Sequence, residues 1–271
     1  MGTSIKLNSV LTIVLMMSLG SCQKKETKDF NRKAPASGTP TINTPGQNTG
    51  DQTTNTTTTT TDGGLDKDGI KRIYASTGKE VKLEYGARHE NGDRYNVNHK
   101  FTNYEVTGYY LVANTEKIEM KTDGPNHGGC EDLPKCMWIE PKFEIKGGKA
   151  DLGAEYPHPE NHDDVGCKTC KSLGKDFSGK WIGYKVIAYK GADGYRVYEQ
   201  WIDPDGLVND KPANNWVNVM KEVDKGQVIP DSKTRELPID GKGLEAEIRC
   251  HQGHKTEMKF GKVAEITPPA Q

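Results

Sequence analysis

The chain has no excess charge of either sign, no apolar run long enough for a membrane helix, and no extended segment in which apolar residues return at the helical period. Its 37 lysines and arginines stand against 38 aspartates and glutamates, a formal net charge of −1. No general electrostatic field therefore draws it to nucleic acid. The apolar stretch Val10 to Leu19 is well short of the ~20 residues a spanning helix needs. Without a 3.6-residue repeat, an α-helical domain is disfavoured. Aromatic residues make up only 7% of the chain, so at least one of its large rings is expected in the core, where such rings chiefly pack.

What is present begins with Lys6, the apolar stretch, and Leu19-Gly20-Ser21-Cys22. A positive start, a short apolar core and small residues before a cysteine form a cleavable leader. The ending resembles the lipobox of bacterial lipoproteins, which implies acylation of the Cys22 thiol and removal of residues 1–21. The expected location is the bacterial cell envelope, outside the cytoplasm and lipid-anchored. Residues 22–64 hold almost no apolar side chains, and Thr39 to Thr61 contains twelve threonines. Such a stretch buries too little surface to offset the entropy of ordering it, and reads as a flexible stalk. Residues 65–271 remain for one folded domain, expected to be monomeric.

Within that domain, short runs alternate apolar and polar residues between clusters of Gly, Asp, Asn and Pro, which is strand spacing. In Glu105 to Val112, the residues Val106, Gly108, Tyr110 and Val112 share one face, and Glu105, Thr107 and Tyr109 the other. Trp181 to Tyr189 repeats this, with Ile182, Tyr184, Val186 and Ala188 opposite Trp181, Lys185 and Tyr189. Gly191-Ala192-Asp193-Gly194 is a turn leading to a return strand over Tyr195 to Asp203. Leu244, Ala246, Ile248 and Cys250 alternate with Glu245, Glu247, Arg249 and His251, and a last strand runs from Met258 to Ile266. The pattern predicts an all-β, two-sheet antiparallel sandwich. Three of its strands carry an apolar face opposite one of carboxylates, cations, histidine and rings, which points to a groove; a partly covered outer sheet face is the alternative.

The series Asp68-Gly69-Ile70, Tyr104-Glu105-Val106-Thr107-Gly108-Tyr109-Tyr110, Glu155 with His158-Pro159, Gly179-Lys180-Trp181-Ile182-Gly183-Tyr184-Lys185, Glu199-Gln200-Trp201-Ile202-Asp203, Asn215-Trp216 and Arg249 is spread over most of the domain. It resembles secreted concanavalin-like jelly-roll proteins related to alginate and glucuronan lyases. The resemblance implies two antiparallel sheets with a concave sugar-binding groove, and an acidic polysaccharide as partner. The Arg-x-Glu-Leu, Gln-Ile-His and Tyr-x-Lys-x-Gly-x-Tyr-x-Gln strands of alginate lyases of this fold are not intact here, so activity is implied less firmly than fold.

β-Elimination from a uronate needs a cation to neutralise the sugar carboxylate, a base for the neighbouring carbon acid, and an acid for the leaving oxygen. Arg249 and Lys185 are the candidate neutralisers, and Tyr109 and His158 the candidate base and acid. Glu105, Glu155, Trp181 and His251 are candidates for binding substrate; Trp201 and Trp216 are further rings for stacking. Each has a plainer role: Lys185 and Arg249 pairing with Glu105 or Glu247 across strands, and His158 a structural loop histidine. The rival functions are a non-catalytic carbohydrate-binding lipoprotein and an envelope protein without sugar affinity. No Glu-x-Asp-x-Glu run of the glucanase type supports hydrolysis.

Cys130 with Cys136, and Cys167 with Cys170, fall as two close pairs in polar loops. Outside the cytoplasm such thiols oxidise, so disulfides are favoured over a four-cysteine zinc site or free thiols, with connectivity open. Cys167-Lys168-Thr169-Cys170-Lys171 also resembles a lysine-ligated haem attachment motif, but a β domain offers no haem architecture, and neither cofactor nor metal is expected. Cys250 lies on an apolar strand face, which predicts a buried free thiol. Asp203 to Asp210 reads as an acidic turn, since it lacks a full calcium loop.

Overall fold

The computed structural model describes residues 63–86, 92–113, 115–125, 137–155, 162–229, 232–237, 243–252 and 256–270, with the backbone alone at 162–164. The leader, Cys22 and the expected stalk up to residue 62 lie outside the described residues, as do Cys130, Cys136 and His158.

The described chain is built from strands and turns. The strands are β1 (Ser76–Lys82), β2 (Glu84–Tyr85), β3 (Gly92–His99), β4 (Tyr104–Leu111), β5 (Lys117–Gly124), β6 (Trp138–Glu144), β7 (Ala150–Glu155) and β8 (His162–Asp164). They continue with β9 (Trp181–Lys190), β10 (Arg196–Asp203), β11 (Leu207–Val208), β12 (Lys211–Pro212), β13 (Val217–Asp224), β14 (Leu244–His251) and β15 (Glu257–Ile266). One antiparallel sheet has the order β1-β15-β4-β9-β10-β13, and the other β2-β3-β14-β5-β6-β7-β8. The C-terminal strands β14 and β15 insert between early strands in both sheets, so chain ends interleave; the two layers form the sandwich that the alternation predicts, with the jelly-roll form that the resemblance implies.

The alternation assigns the inner faces. Val106 and Tyr110 of β4 and Ile182, Tyr184 and Val186 of β9 meet Ile118 and Met120 of β5, Ile139 and Phe143 of β6, and Ala246 and Ile248 of β14 in one core. Tyr110 packs edge-on against Tyr95 and Tyr184, with ring centroids 6.1 and 6.5 Å apart. A Cβ at Gly108 would stand 2.5 Å from the Tyr110 hydroxyl, so the ring needs glycine two residues before it. Cys250 is a buried free thiol in this core, and burial pushes it up to about 12.

One ionic group joins the layers. A bulge in the β14 to β5 pairing places Asp123 at φ 59° and turns its carboxylate inward, as an extra strand residue does. Arg196 of β10 donates to it through Nε at 2.7 Å and Nη2 at 2.8 Å, and Tyr198 donates its hydroxyl at 2.6 Å. Tyr104 of β4 is the fourth donor. Burial alone would raise the Asp123 carboxyl, but Arg196 and the phenols outweigh it and hold it below its ordinary range.

His99 packs on Tyr104 with ring centroids 4.5 Å apart, and its Nδ1 accepts from the Phe101 amide at 3.3 Å. Burial pushes the imidazole down to about 4. A folded value below the unfolded one favours folding above pH ~6.5, and that contribution is lost as pH falls toward 4. The shift corresponds to about 3 kcal/mol. Urea denaturation of His99→Gln against pH is expected to lack this acid-sensitive component between pH ~6.5 and ~4; parallel profiles for both proteins would refute it.

Candidate functional site

On the outer face of the six-stranded sheet stand Glu105 and Tyr109 of β4 and Lys185 and Tyr189 of β9, as their alternation predicts. They do not open onto a groove. The segment 63–75 crosses this face, and Glu105 holds it there: Glu105 Oε1 lies 3.1 Å from Arg72 Nη1 and 3.0 Å from Lys185 Nζ, and Oε2 accepts from the Ile73 amide at 3.3 Å. Lys185 also donates to the Lys71 carbonyl at 2.7 Å and lies 4.3 Å from the Trp216 ring centre. Burial alone raises the Glu105 carboxyl, yet Lys185 and Arg72 hold it below its ordinary range.

Beside this contact the loop 203–216 closes over Tyr109, whose hydroxyl donates to Asp203 Oδ2 at 3.0 Å. Burial, then the Asp203 charge, pushes the phenol far above its ordinary value, which removes Tyr109 as a base near neutrality. The covering is close: a Cβ at Gly183 would lie 2.7 Å from both Asp203 and Trp216. Within the loop, Asn209 and Asp210 take φ 51° and 62° between β11 and β12, the conformation of a two-residue hairpin turn. Asp203 receives the Asp205 and Asn214 amides at 3.2 and 2.7 Å, and the acidic stretch is a turn. Glu199 anchors the segment's other end, accepting Tyr74 and Tyr189 hydroxyls at 2.8 and 2.9 Å and the Trp201 indole at 3.0 Å. Trp181 is half-buried near the sheet's margin, with Lys259 Nζ 5.1 Å from its ring centre.

The other candidates face the opposite way. Arg249 and His251 of β14 and Glu155 of β7 belong to the seven-stranded sheet. Outer faces of a two-layer sandwich diverge, so Tyr109 and Lys185 do not share a cleft with Arg249. The alternation separates inside from outside but does not say which layer a strand joins; the expected single groove is corrected to two faces.

The second face is a polar field spanning β3, β14, β5, β6 and β7. One cross-strand row runs Arg94, Arg249, Glu119, Lys142, Asp151. Arg94 and Arg249 lie directly opposite each other, an arrangement that like charges disfavour, and Glu247 offsets it: Oε2 lies 3.5 Å from Arg94 Nη1, and Oε1 contacts Arg249 Nε. Glu119 pairs with His251 at 3.2 Å. Burial would raise Glu119, but the His251 hydrogen bond and charge, helped by Lys142 and Lys121, draw it down to about 2. Lys121 reaches Glu140 at 3.1 Å and also Glu155, beneath Trp138.

Exposure sorts this field by charge. The side chains of Arg94, Lys142, Arg249 and His251 are 15, 14, 11 and 18% exposed, whereas Glu247, Glu119 and Glu140 are 3, 5 and 2%. At these positions the carboxylates form the floor and the cations and His251 reach solvent, while Lys121 is buried and Asp151, at the end of the row, is partly exposed. Sequence reading missed Arg94, Glu119, Lys121, Trp138, Glu140 and Lys142. The alternation Lys117-Ile118-Glu119-Met120-Lys121 and Trp138-Ile139-Glu140-Pro141-Lys142 carried the signal.

Cys167 and Cys170 form a disulfide, so this pair is neither a zinc nor a haem ligand set. Its loop is fixed to β13 by Thr169, which bonds Glu222 Oε1 at 2.7 Å and the Lys221 carbonyl at 2.8 Å. Among the described residues, no group of three or more His, Cys, Asp and Glu is arranged to hold a metal.

No family model and no curated protein matches the chain. Among solved structures, the galectin LEC-6 of Caenorhabditis elegans is similar at 8% identity and a TM-score of 0.35, over 71% of this chain and 99% of that one. A variant of the alginate lyase Aly36B in complex with alginate trisaccharide is similar at 12% identity and 0.35, over 70% and 81%. The exoplasmic/lumenal domain of VIP36, in its Ca2+/Man2-bound form, is similar at 8% identity and 0.36, over 78% and 87%. None of the three fixes the role of a residue in this chain.

Glu105→Gln leaves Arg72 and Lys185 without their shared carboxylate, and urea denaturation is expected to show a loss of about 3–5 kcal/mol. Glu265→Gln, at an exposed pair with Lys79, is expected to change stability by less than ~1 kcal/mol.

Proposed function

We propose that the protein is a cell-envelope lipoprotein that binds an acidic polysaccharide on the outer face of its seven-stranded sheet. The observation that supports this reading is the layering of charge: Arg94, Lys142, Arg249 and His251 reach solvent above buried Glu119, Glu140 and Glu247. A guanidinium pairs with a planar carboxylate through parallel hydrogen bonds, so the adjacent Arg94 and Arg249 suit a uronate chain. The buried carboxylates orient the cations before the ligand arrives, which lowers the entropic cost of binding.

A second reading, β-elimination of the bound uronate polymer, is favoured by His251 two residues along β14 from Arg249, with Glu119 directly opposite Arg249 on β5 and 3.2 Å from His251. Here Arg249 neutralises the sugar carboxylate, Glu119 orients the imidazole, and His251 removes the proton from the neighbouring carbon and, as imidazolium, returns it to the glycosidic oxygen as the C–O bond breaks and the C=C bond forms. Lipidation of Cys22 places the domain outside the cytoplasm, where such polymers occur.

Retention on immobilised alginate and glucuronan tests the binding surface. Arg94→Gln and Arg249→Gln are each expected to weaken it about tenfold, with unchanged circular dichroism; full retention by both would reject this face. Ultraviolet absorbance of unsaturated sugar ends distinguishes catalysis: His251→Ala is expected to abolish that signal while retention persists, and wild-type protein giving no signal leaves binding alone. Cys22→Ala is expected to move the protein from the membrane fraction to the soluble extracytoplasmic fraction.

A further inference from the structure

At one end of the six-stranded sheet, away from the face just described, β9 and β10 present Lys190 and Arg196 as direct cross-strand partners. Two cations in this position repel unless an anion lies between or beside them. The nearest carboxylates are occupied. Asp123 is held by Arg196 Nε and Nη2 and by two tyrosines. Asp224, opposite Arg196 on β13, accepts the amides of Gly226, Val228 and Ile229 at 2.9, 3.1 and 2.7 Å. Arg196 is 4% exposed, and its remaining nitrogen, Nη1, is buried without a hydrogen-bond partner. A buried guanidinium nitrogen left in this way is costly unless something completes it.

Arg196 also lines a cavity of about 200 Å³, together with Lys190, Arg235, Glu236, Ile229, Leu237 and the hydroxyl residues Thr102 and Ser232. Thr102 and Ser232 already donate their hydroxyl hydrogens to the Leu237 and Asp224 carbonyls, at 3.2 and 2.6 Å. Their oxygens are thereby turned into acceptors for ligand hydroxyls. Ile229 and Leu237 supply an apolar wall.

From this combination we infer that the cavity is a binding site for one small hydroxy-carboxylate the size of a single sugar acid. The carboxylate completes Arg196 and bridges it to Lys190 and Arg235, while the ligand's hydroxyls donate to Thr102 and Ser232. The site is separate from the polymer-binding face and does not depend on it.

Isothermal titration of the full chain with glucuronate at low ionic strength tests this, with glucose as the uncharged comparison and sodium sulfate as a rival anion. One site for glucuronate, none for glucose, and about tenfold weaker binding in Lys190→Met and in Arg235→Met are expected. Arg196 is left unmutated because its loss strands Asp123; the Arg196 guanidinium protons, followed by NMR, are expected to shift on adding glucuronate. No binding at ~10 mM glucuronate, unchanged affinity in both variants, or sulfate binding more tightly than glucuronate would overturn the assignment. Arg94→Gln, which removes a cation of the polymer-binding face, separates the two sites: glucuronate binding lost in that variant and kept in Lys190→Met and Arg235→Met would place the ligand on the seven-stranded sheet and overturn the cavity, whereas failure of polymer retention alone leaves it standing.

Discussion

The sandwich depends on an ionised carboxylate between its layers. Asp123 belongs to one sheet, and its donors Tyr104, Arg196 and Tyr198 to the other, so the sheets are joined by directed bonds as well as by apolar contact. An isolated carboxylate could not be buried there, because desolvation outweighs any single attraction. A bidentate arginine and two phenols satisfy it from different sides. The same arrangement leaves the remaining nitrogen of Arg196 buried without a hydrogen-bond partner, the feature on which the proposed anion site rests.

Two further carboxylates organise the outer faces by the same rule with different results. Glu105 draws Arg72 and Lys185 inward, and the segment 63–75 follows as a strap that seals its face. Glu247 also has two arginines beside it, but no described segment crosses them, and their tips stay in reach of solvent. One ion cluster is therefore a closure and the other a floor under side chains that reach solvent. What separates them is whether the partner cation comes from a covering segment or from the neighbouring strand.

The inward face of each strand was legible because period two is a local property: Val106, Tyr110, Ile182, Val186, Ala246 and Ile248 all pack where their spacing puts them. The buried free thiol of Cys250 and the turns at 191–194 and 203–210 followed from equally local chemistry. Layer membership was not legible, because β4 and β14 carry the same alternation while pairing in different sheets. Tyr109 and Lys185 thus read as groove residues when the loop 203–216 and the segment 63–75, both distant in sequence, cover them. The pairings of Lys185 with Glu105 and of Arg249 with Glu247 matched the plainer alternative that the sequence also offered. Arg94, Glu119 and Lys142 went unread because their meaning comes only from alignment in one row across four strands.

The strap also governs how a pull on the N-terminal side would be transmitted. Residues 63–75 cross the sheet before the chain enters β1, so tension arriving from upstream meets the Arg72, Ile73 and Tyr74 contacts first and reaches the strand hydrogen bonds only after those yield. That order makes the strap the first contact to yield under such a pull, ahead of the strand pairing behind it.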